Sequence, residues 1–192
     1  YFAEPTPESL IGNLLPDFLS GPPEKHLLSQ PILKGMDLHR KIDAFTDAHP
    51  VVLRSQRRLN DQYRLVRGII IDMFFDHFLA ANWAEFHHVS LKRYSEQVYG
   101  VFEEHRGLLP PRLARILPYM IKDNWLYSYQ SLEGIEMALS RMSTRLTRKI
   151  ELEKSVDVLR MNYNDFKNDF YLFFPELNAY VNSIKQKEEN KR

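Results

Sequence analysis

The chain has 192 residues, 44% of them hydrophobic, and its 26 Lys and Arg residues balance 25 Asp and Glu residues to a net charge of +1. This length and composition predict one ordinary globular domain over residues 1–192. The balanced charge gives no general attraction to nucleic acid or to an anionic membrane, and the lack of cysteine excludes disulfides and thiolate metal sites. The apolar runs are too short to span a membrane, so we expect a cytoplasmic protein.

Helical periodicity extends along the chain, and the sequence shows no strand pattern or internal repeat. The first helix is expected to begin at Thr6-Pro7 and to stop at Gly21. The predicted helices cover residues 7–20, 31–49, 51–59, 63–86, 90–107, 112–128, 131–142 and 145–173. Pro175 is expected to end the last of these and to begin a tail helix, in which residues 185–192 are frayed. The pattern therefore predicts an all-α, single-domain helical bundle.

Two of the predicted helices carry polar side chains at a spacing that places them on one helix face. His39 and Asp43 are four residues apart, and Asp47 continues the row by one more turn. Asp72 and Asp76 repeat the same spacing on the long apolar helix. Two neighbouring helices would thus present a histidine and several carboxylates together.

The surroundings of Asp72 and Asp76 make this pattern informative. Both lie within a run of isoleucine, methionine and phenylalanine residues, and two buried carboxylates stay charged only beside a compensating cation. A divalent metal is the simplest such cation, and the imidazoles of His39 and His77 would complete a nitrogen and oxygen ligand set. His77 is adjacent to Asp76, so the two side chains diverge by about 100° and meet only at a metal between them.

Arg40 and Arg67 offer a competing explanation, because either can pair with the same acids without any metal. From the residues alone, both interpretations stay open. Asp17 taken alone is a helix-end acid.

The segment after the second helix is rich in arginine. The arginines are Arg54, Arg57, Arg58, Arg64 and Arg67. A solvated helix face is the commoner meaning of such a run. Five arginines beside the candidate site would also attract a phosphate-bearing or acidic partner.

At these residues the sequence resembles a known family, the bacterial acyl carrier protein phosphodiesterases, also called holo-acyl-carrier-protein hydrolases. The resemblance is carried by Gly12-Asn13-Leu14-Leu15-Pro16-Asp17-Phe18, by His39-Arg40-Lys41-Ile42-Asp43 with Thr46-Asp47, and by Asp72-Met73-Phe74-Phe75-Asp76-His77-Phe78-Leu79 with Trp83. Fainter similarity continues through residues 125–127 and 142–145. The pieces occur in order and span most of the chain.

The resemblance implies an HD-like helical fold and hydrolysis of the phosphodiester that joins 4′-phosphopantetheine to a serine of holo-acyl carrier protein. Mn²⁺ is the implied metal, with Mg²⁺, Fe²⁺ or Co²⁺ as alternatives. The expected metal ligands are Asp17, His39, Asp43, Asp72, Asp76 and His77, and the expected catalytic residues are Asp43, Asp76 and Arg40. The five arginines would form a docking face for the acidic carrier protein.

Two features depart from the implied pattern. HD-domain enzymes carry an adjacent His-Asp pair, whereas this chain has Asp76-His77 in the opposite order. Family members also usually begin with a short histidine-containing segment upstream of the position of Tyr1, and the resemblance leaves open that one ligand lies there.

Two other functions are compatible with the residues. One is an HD-like phosphohydrolase that acts on a nucleotide or another small phosphoester. The other is a non-catalytic helical module in which Arg40 and Arg67 neutralise the acids and the arginine-rich segment binds an acidic protein. Nucleic-acid binding ranks last, because the charge is balanced and no helix-turn-helix or zinc-finger pattern is present.

Overall fold

The computed structural model describes residues 1–19 and 28–190, which form ten α-helices and no β-strand. The helices are α1 (Pro7–Leu14), α2 (Gln30–Ala48), α3 (Pro50–Arg57), α4 (Arg67–Ala81), α5 (Leu91–Glu104), α6 (Pro111–Lys122), α7 (Trp125–Ser128), α8 (Leu132–Ser143), α9 (Ser155–Met161) and α10 (Tyr163–Glu189). The predicted all-α class is confirmed. Within the described ranges, no helix combines the length and the hydropathy that a membrane crossing requires.

Local capping signals place several of the helix starts. Thr6 accepts a hydrogen bond from the Ser9 amide, and Pro7 is the first residue of α1 as predicted. Ser90 and Ser131 cap α5 and α8 in the same way. The predicted stop at Gly21 lies outside the described residues, and α1 ends at Leu14 in a 3-10 turn over Leu15–Asp17.

The predicted helix over residues 145–173 is wrong in its first part, whereas residues 155–161 and 163–173 lie in α9 and α10. The Ser143 hydroxyl donates to the Glu153 carboxylate (2.7 Å) and accepts from the Leu152 amide (2.9 Å), which holds residues 144–151 in a loop. The predicted break at Pro175 is also wrong, because α10 continues through it. Pro175 is solvent-exposed, and the opposite face of the helix is buried. Packing of that face outweighs the cost of about 3 kcal/mol for proline inside a helix.

The tail differs from prediction as well. Residues 185–189 continue α10, so the predicted fraying begins no earlier than its end at Glu189. Residues 191–192 lie outside the described part of the chain.

The main core lies between α4 and α10. The Phe74 and Phe166 rings are both fully buried and meet edge to face at 5.2 Å, and Phe75 meets Phe170 at 5.8 Å. This packing fixes the rotation of α4 about its axis. Its apolar residues face α10, and Asp72 and Asp76 remain on the solvent side.

A close crossing of α1 and α2 positions the rest of the site. A Cβ atom added to Gly35 would lie 2.9 Å from the Gly12 Cα, and one added to Gly12 would overlap the Ile32 carbonyl oxygen. Only glycine permits two helix backbones to approach so closely. The crossing brings the 3-10 turn that contains Asp17 beside His39 on α2.

Candidate functional site

Asp17, His39 and Asp43 lie close together. The helical spacing predicted this for His39 and Asp43, and the resemblance alone implied Asp17. The His39 Nε2 atom lies 3.0 Å from the Asp43 Oδ2 atom and 3.8 Å from the Asp17 Oδ1 atom. His39 also hydrogen-bonds to the backbone of Asn13. Burial lowers the pKa of His39, but the bond to Asp43 and the charges of Asp43 and Asp17 outweigh it and raise the pKa above its ordinary value.

Asp72 and Asp76 on α4 belong to the same electrostatic neighbourhood. Burial raises the pKa of Asp72 to about 7, and negative charges on four other aspartates add to the effect. Those four are Asp76, Asp47, Asp43 and Asp17. Burial likewise raises the pKa of Asp76 to about 6. We call these five aspartates, together with His39, the acidic cluster.

The acidic cluster is desolvated but still reaches water. The side chains of Asp17 and Asp43 are 60% and 57% exposed, and Asp72 and Asp76 are also exposed. Burial is nevertheless the largest cause of the raised pKa of Asp17, Asp72 and Asp76. The two observations describe carboxylates that protein surrounds in part and that solvent still reaches.

The competing explanation by arginine pairing is not what the structure shows. The Arg67 guanidinium donates to the Leu59 carbonyl oxygen (2.8 Å) and pairs with Asp61 (3.0 Å). Arg40 is exposed beside His39. Across residues 1–19 and 28–190, neither Asp72 nor Asp76 forms an ion pair with a lysine or arginine side chain. The carboxylate charge of these two residues is therefore left without a side-chain cation.

The prediction that His77 is a metal ligand is corrected. Its side chain is buried, and its Nδ1 atom donates to the Tyr129 carbonyl oxygen at 2.9 Å. Its Nε2 atom lies 3.0 Å from the Tyr163 hydroxyl, from which it accepts. Burial lowers the pKa of His77, which favours this neutral, doubly hydrogen-bonded form. Because adjacent residues on a helix diverge by about 100°, His77 points into the core while Asp76 faces the cluster.

The predicted docking face on the arginine-rich segment is corrected in part. Arg54 and Arg58 both pair with Asp169, a buried carboxylate on α10 that also accepts from the Ser55 hydroxyl at 2.7 Å. The single Asp169 carboxylate balances one of these two guanidinium charges and holds both side chains against α10, and Arg67 pairs with the exposed Asp61.

Arg57 and Arg64 are exposed, and neither pairs with a carboxylate in the described ranges. Their partner-binding role stays a prediction.

The donor set of the acidic cluster suits a hard or borderline divalent cation, since it offers carboxylate oxygens and one imidazole nitrogen. The bond from His39 to the Asn13 backbone resembles the second-shell support that metal-binding histidines commonly have. No three His, Asp or Glu side chains of the described chain are already gathered at ligand distances around one point. The donor atoms and the negative charge of the acidic cluster therefore suit a metal ion. The side chains would have to move closer together to coordinate it.

Taken together, an all-α fold and a solvent-open cluster of carboxylates with one imidazole define a helical protein with a hydrolase-like acidic site. The family model described as acyl carrier protein phosphodiesterase matches residues 1–177. The chain therefore belongs to the acyl carrier protein phosphodiesterase family, and it is a hydrolase of the phosphodiesterase class. The alternative of a non-catalytic module is thereby set aside.

Several relatives carry the name acyl carrier protein phosphodiesterase. The protein from Photorhabdus laumondii is 32% identical over 168 residues, covering 87% of this chain and 84% of the relative. The protein from Serratia proteamaculans is 31% identical over 170 residues, and that from Klebsiella pneumoniae 30% over 174 residues, each covering 88% of both chains. No solved structure matches the chain, and the predicted relation to HD-domain folds stays a prediction.

Proposed function

We propose that this protein hydrolyses the phosphodiester between 4′-phosphopantetheine and a serine of holo-acyl carrier protein, releasing apo-carrier protein and free phosphopantetheine. We further propose that a divalent metal, preferably Mn²⁺, is required and that the reaction takes place in the cytoplasm. The relatives' names support the substrate. The observation that carries the site is the gathering of five aspartates and His39 from α2, α4 and the turn after α1, without a lysine or arginine partner for Asp72 or Asp76 among the described residues.

Asp17, His39, Asp43 and Asp76 are the proposed metal ligands. A bound divalent ion would lower the pKa of a coordinated water and neutralise charge on a phosphoryl oxygen. The donor chemistry supports a cation here, because a charge of +2 would offset the burial and the neighbouring negative charges that raise the pKa of Asp72 and Asp76. Holding His39 through Asn13 orients the imidazole before the ion arrives.

Asp72 receives a role different from the ligand role predicted for it. Asp72 interacts electrostatically with Asp76, Asp43 and Asp17, and we propose that one of its carboxylate oxygens accepts the proton that the attacking water loses. Arg40 is exposed on α2, next to His39, and remains the proposed contact to the substrate phosphate.

The charges also imply an order of binding. A phosphodiester is an anion, and the five carboxylates of the acidic cluster would repel it. The substrate phosphate can therefore approach only after a cation has occupied the acidic cluster. Asp43, hydrogen-bonded to His39 at 3.0 Å, must first give up that bond if both groups are to face the ion.

Release of phosphopantetheine from holo-acyl carrier protein, followed by mass spectrometry, tests the proposal. Chelator-treated protein should release none, and added Mn²⁺ should restore the reaction. Unchanged release in chelator would show that the metal requirement is wrong. A protein that ignores holo-carrier protein with any of the four candidate metals, yet hydrolyses a nucleotide phosphoester, would support the alternative HD-like phosphohydrolase instead.

A further inference from the structure

A groove lies between α6 and α8, apart from the acidic cluster. Its cavity volume is about 370 Å³, and Ile116, Tyr119 and Trp125 supply aliphatic and aromatic walls. Ser140 and Thr144 add hydroxyl groups to the lining. This size and mixture of surfaces suit a small organic chain that combines apolar and amide segments.

Arg141 forms a fixed wall of this groove. Its guanidinium lies 4.3 Å from the centroid of the Trp125 ring and pairs with Asp123 at 2.9 Å. The charge of Arg141 is thus already balanced, and its side chain is held in place.

Arg145, which also lines the groove, has a different environment. Burial and the positive charge of Arg112 lower the pKa of Arg145. In the described part of the chain, neither Arg145 nor Arg112 pairs with a carboxylate. Two guanidinium groups whose charges interact, and that lack a carboxylate partner within residues 1–19 and 28–190, favour a bound anion between them.

This arginine pair borders the acidic cluster by two routes. The Arg112 guanidinium lies 5.9 Å from the centroid of the Phe18 ring, and Phe18 follows Asp17 directly. The charges of both Asp76 and Arg145 act on the pKa of the Tyr129 hydroxyl. An anion held by the arginines would therefore lie on the side of the acidic cluster that contains Asp17.

We propose that Arg112 and Arg145 bind the phosphodiester of the substrate and that the α6–α8 groove holds the pantetheine chain attached to it. This inference rests on the proposed function. The phosphate would lie between the arginine pair and the cation in the acidic cluster, so that positive charge flanks it on both sides. The pantetheine chain is uncharged, with two amides and a terminal thiol, and matches a groove lined by aromatic rings and hydroxyl groups.

Calorimetric titration with 4′-phosphopantetheine and with pantetheine, which lacks the phosphate, tests the inference in the presence of Mn²⁺. The wild-type protein should bind the phosphorylated compound more tightly. Arg145→Ala should weaken phosphopantetheine binding by about 10- to 100-fold, the loss expected for a hydrogen bond between charged groups, and leave pantetheine binding unchanged. Ser140→Trp, which fills the groove, should weaken both. Arg93→Ala removes an exposed arginine of α5 that lines neither site and should change neither affinity.

Three outcomes would overturn the inference. These are equal affinities of Arg145→Ala and Arg93→Ala for phosphopantetheine, unchanged binding in Ser140→Trp, and failure of the wild-type protein to prefer the phosphorylated compound. The proposed function is judged by a separate readout, the release of phosphopantetheine from holo-carrier protein. Normal release together with any of the three outcomes would reject the groove and leave the function standing.

Discussion

Asp169 and the acidic cluster are two places where carboxylates meet a helical core, and they are balanced in opposite ways. Asp169 is almost fully buried and receives hydrogen bonds from Arg54, Arg58 and Ser55. Asp72 and Asp76 are exposed, crowded by protein, and without a lysine or arginine partner among the described residues. The fold itself supplies the hydrogen-bond and ion-pair partners of Asp169. Asp72 and Asp76 depend on a ligand for a compensating positive charge.

This comparison distinguishes carboxylates that stabilise the fold from carboxylates that serve a binding site. A buried carboxylate with all its acceptors used stabilises the particular packing of α3 against α10 and has no capacity left for chemistry. A carboxylate that is desolvated yet unpaired costs stability in the free protein, and such a cost is typical of binding sites. The variants below should therefore affect activity at one site and stability at the other.

The largest effect is expected from Asp76→Asn. Removing one negative ligand should lower the rate of holo-carrier hydrolysis by about 1,000-fold or more, because the metal-supported step is lost. The midpoint of thermal unfolding should not fall, since the substitution also removes repulsion. Asp157→Asn, at an exposed aspartate paired with Arg160, is the matched control and should retain full activity. Unfolding of the Asp76→Asn protein would instead mark the residue as structural.

Asp169→Asn should show the reverse. It leaves Arg54 and Arg58 without their counter-ion, and urea unfolding at pH 7 should show a loss of about 3 kcal/mol, near the lower end for broken buried pairs because Arg54 is half exposed. The remaining folded protein should keep its activity. A loss below about 1 kcal/mol would mean that the pair behaves as an ordinary surface ion pair.

His77→Phe tests the correction made to the ligand set. The substitution leaves the Tyr129 carbonyl oxygen and the Tyr163 hydroxyl without their imidazole partner, which should cost about 1–3 kcal/mol of unfolding free energy. Mn²⁺ affinity should be unchanged. A marked loss of metal binding at unchanged stability would restore His77 as a ligand.

The smallest expected effect is a pH dependence of stability in the metal-free protein. The pKa of Asp72 is raised to about 7 in the folded state, above its ordinary value of 3.8, so the folded protein retains a proton that the unfolded chain has lost. Stability should therefore fall as the pH rises from about 4 to about 7 and level off above that. Because Asp72 is exposed, the change should be modest, and thermal melts of wild type and Asp72→Asn will measure it. Parallel pH curves for the two proteins would contradict this origin.

Most of the fold was predictable where local chemistry decides it. Caps at Thr6, Ser90 and Ser131 start helices because their hydroxyl groups satisfy backbone amides a few residues away. Pro175 and the loop over residues 144–151 were not predictable locally. The first is overridden by packing of α10, and the second depends on the side-chain bonds of Ser143.

The site shows the same division. Helical spacing predicted that His39 lies beside Asp43 and that Asp72 and Asp76 share a helix face. It could not show that the Tyr163 hydroxyl, 86 residues away in sequence, hydrogen-bonds to the His77 imidazole. Asp169 carries a signal that sequence reasoning missed, because it directly precedes the apolar run over residues 170–174.

In the sequence, Arg145 stood out only within the faint family similarity over residues 142–145. Its position beside Arg112 depends on how α6 and the end of α8 pack, and such tertiary contacts are not encoded in local spacing.

Titration of metal-free protein with Mn²⁺, followed by electron paramagnetic resonance of the free ion, tests most directly whether the acidic cluster is a cation site. Wild type and Asp169→Asn, the latter at a temperature where it is folded, should bind Mn²⁺ with similar affinity. Asp76→Asn should bind it at least about tenfold more weakly, the loss expected for one charged ligand. Equal Mn²⁺ binding by Asp76→Asn and wild type, or no binding by wild type, would contradict the assignment.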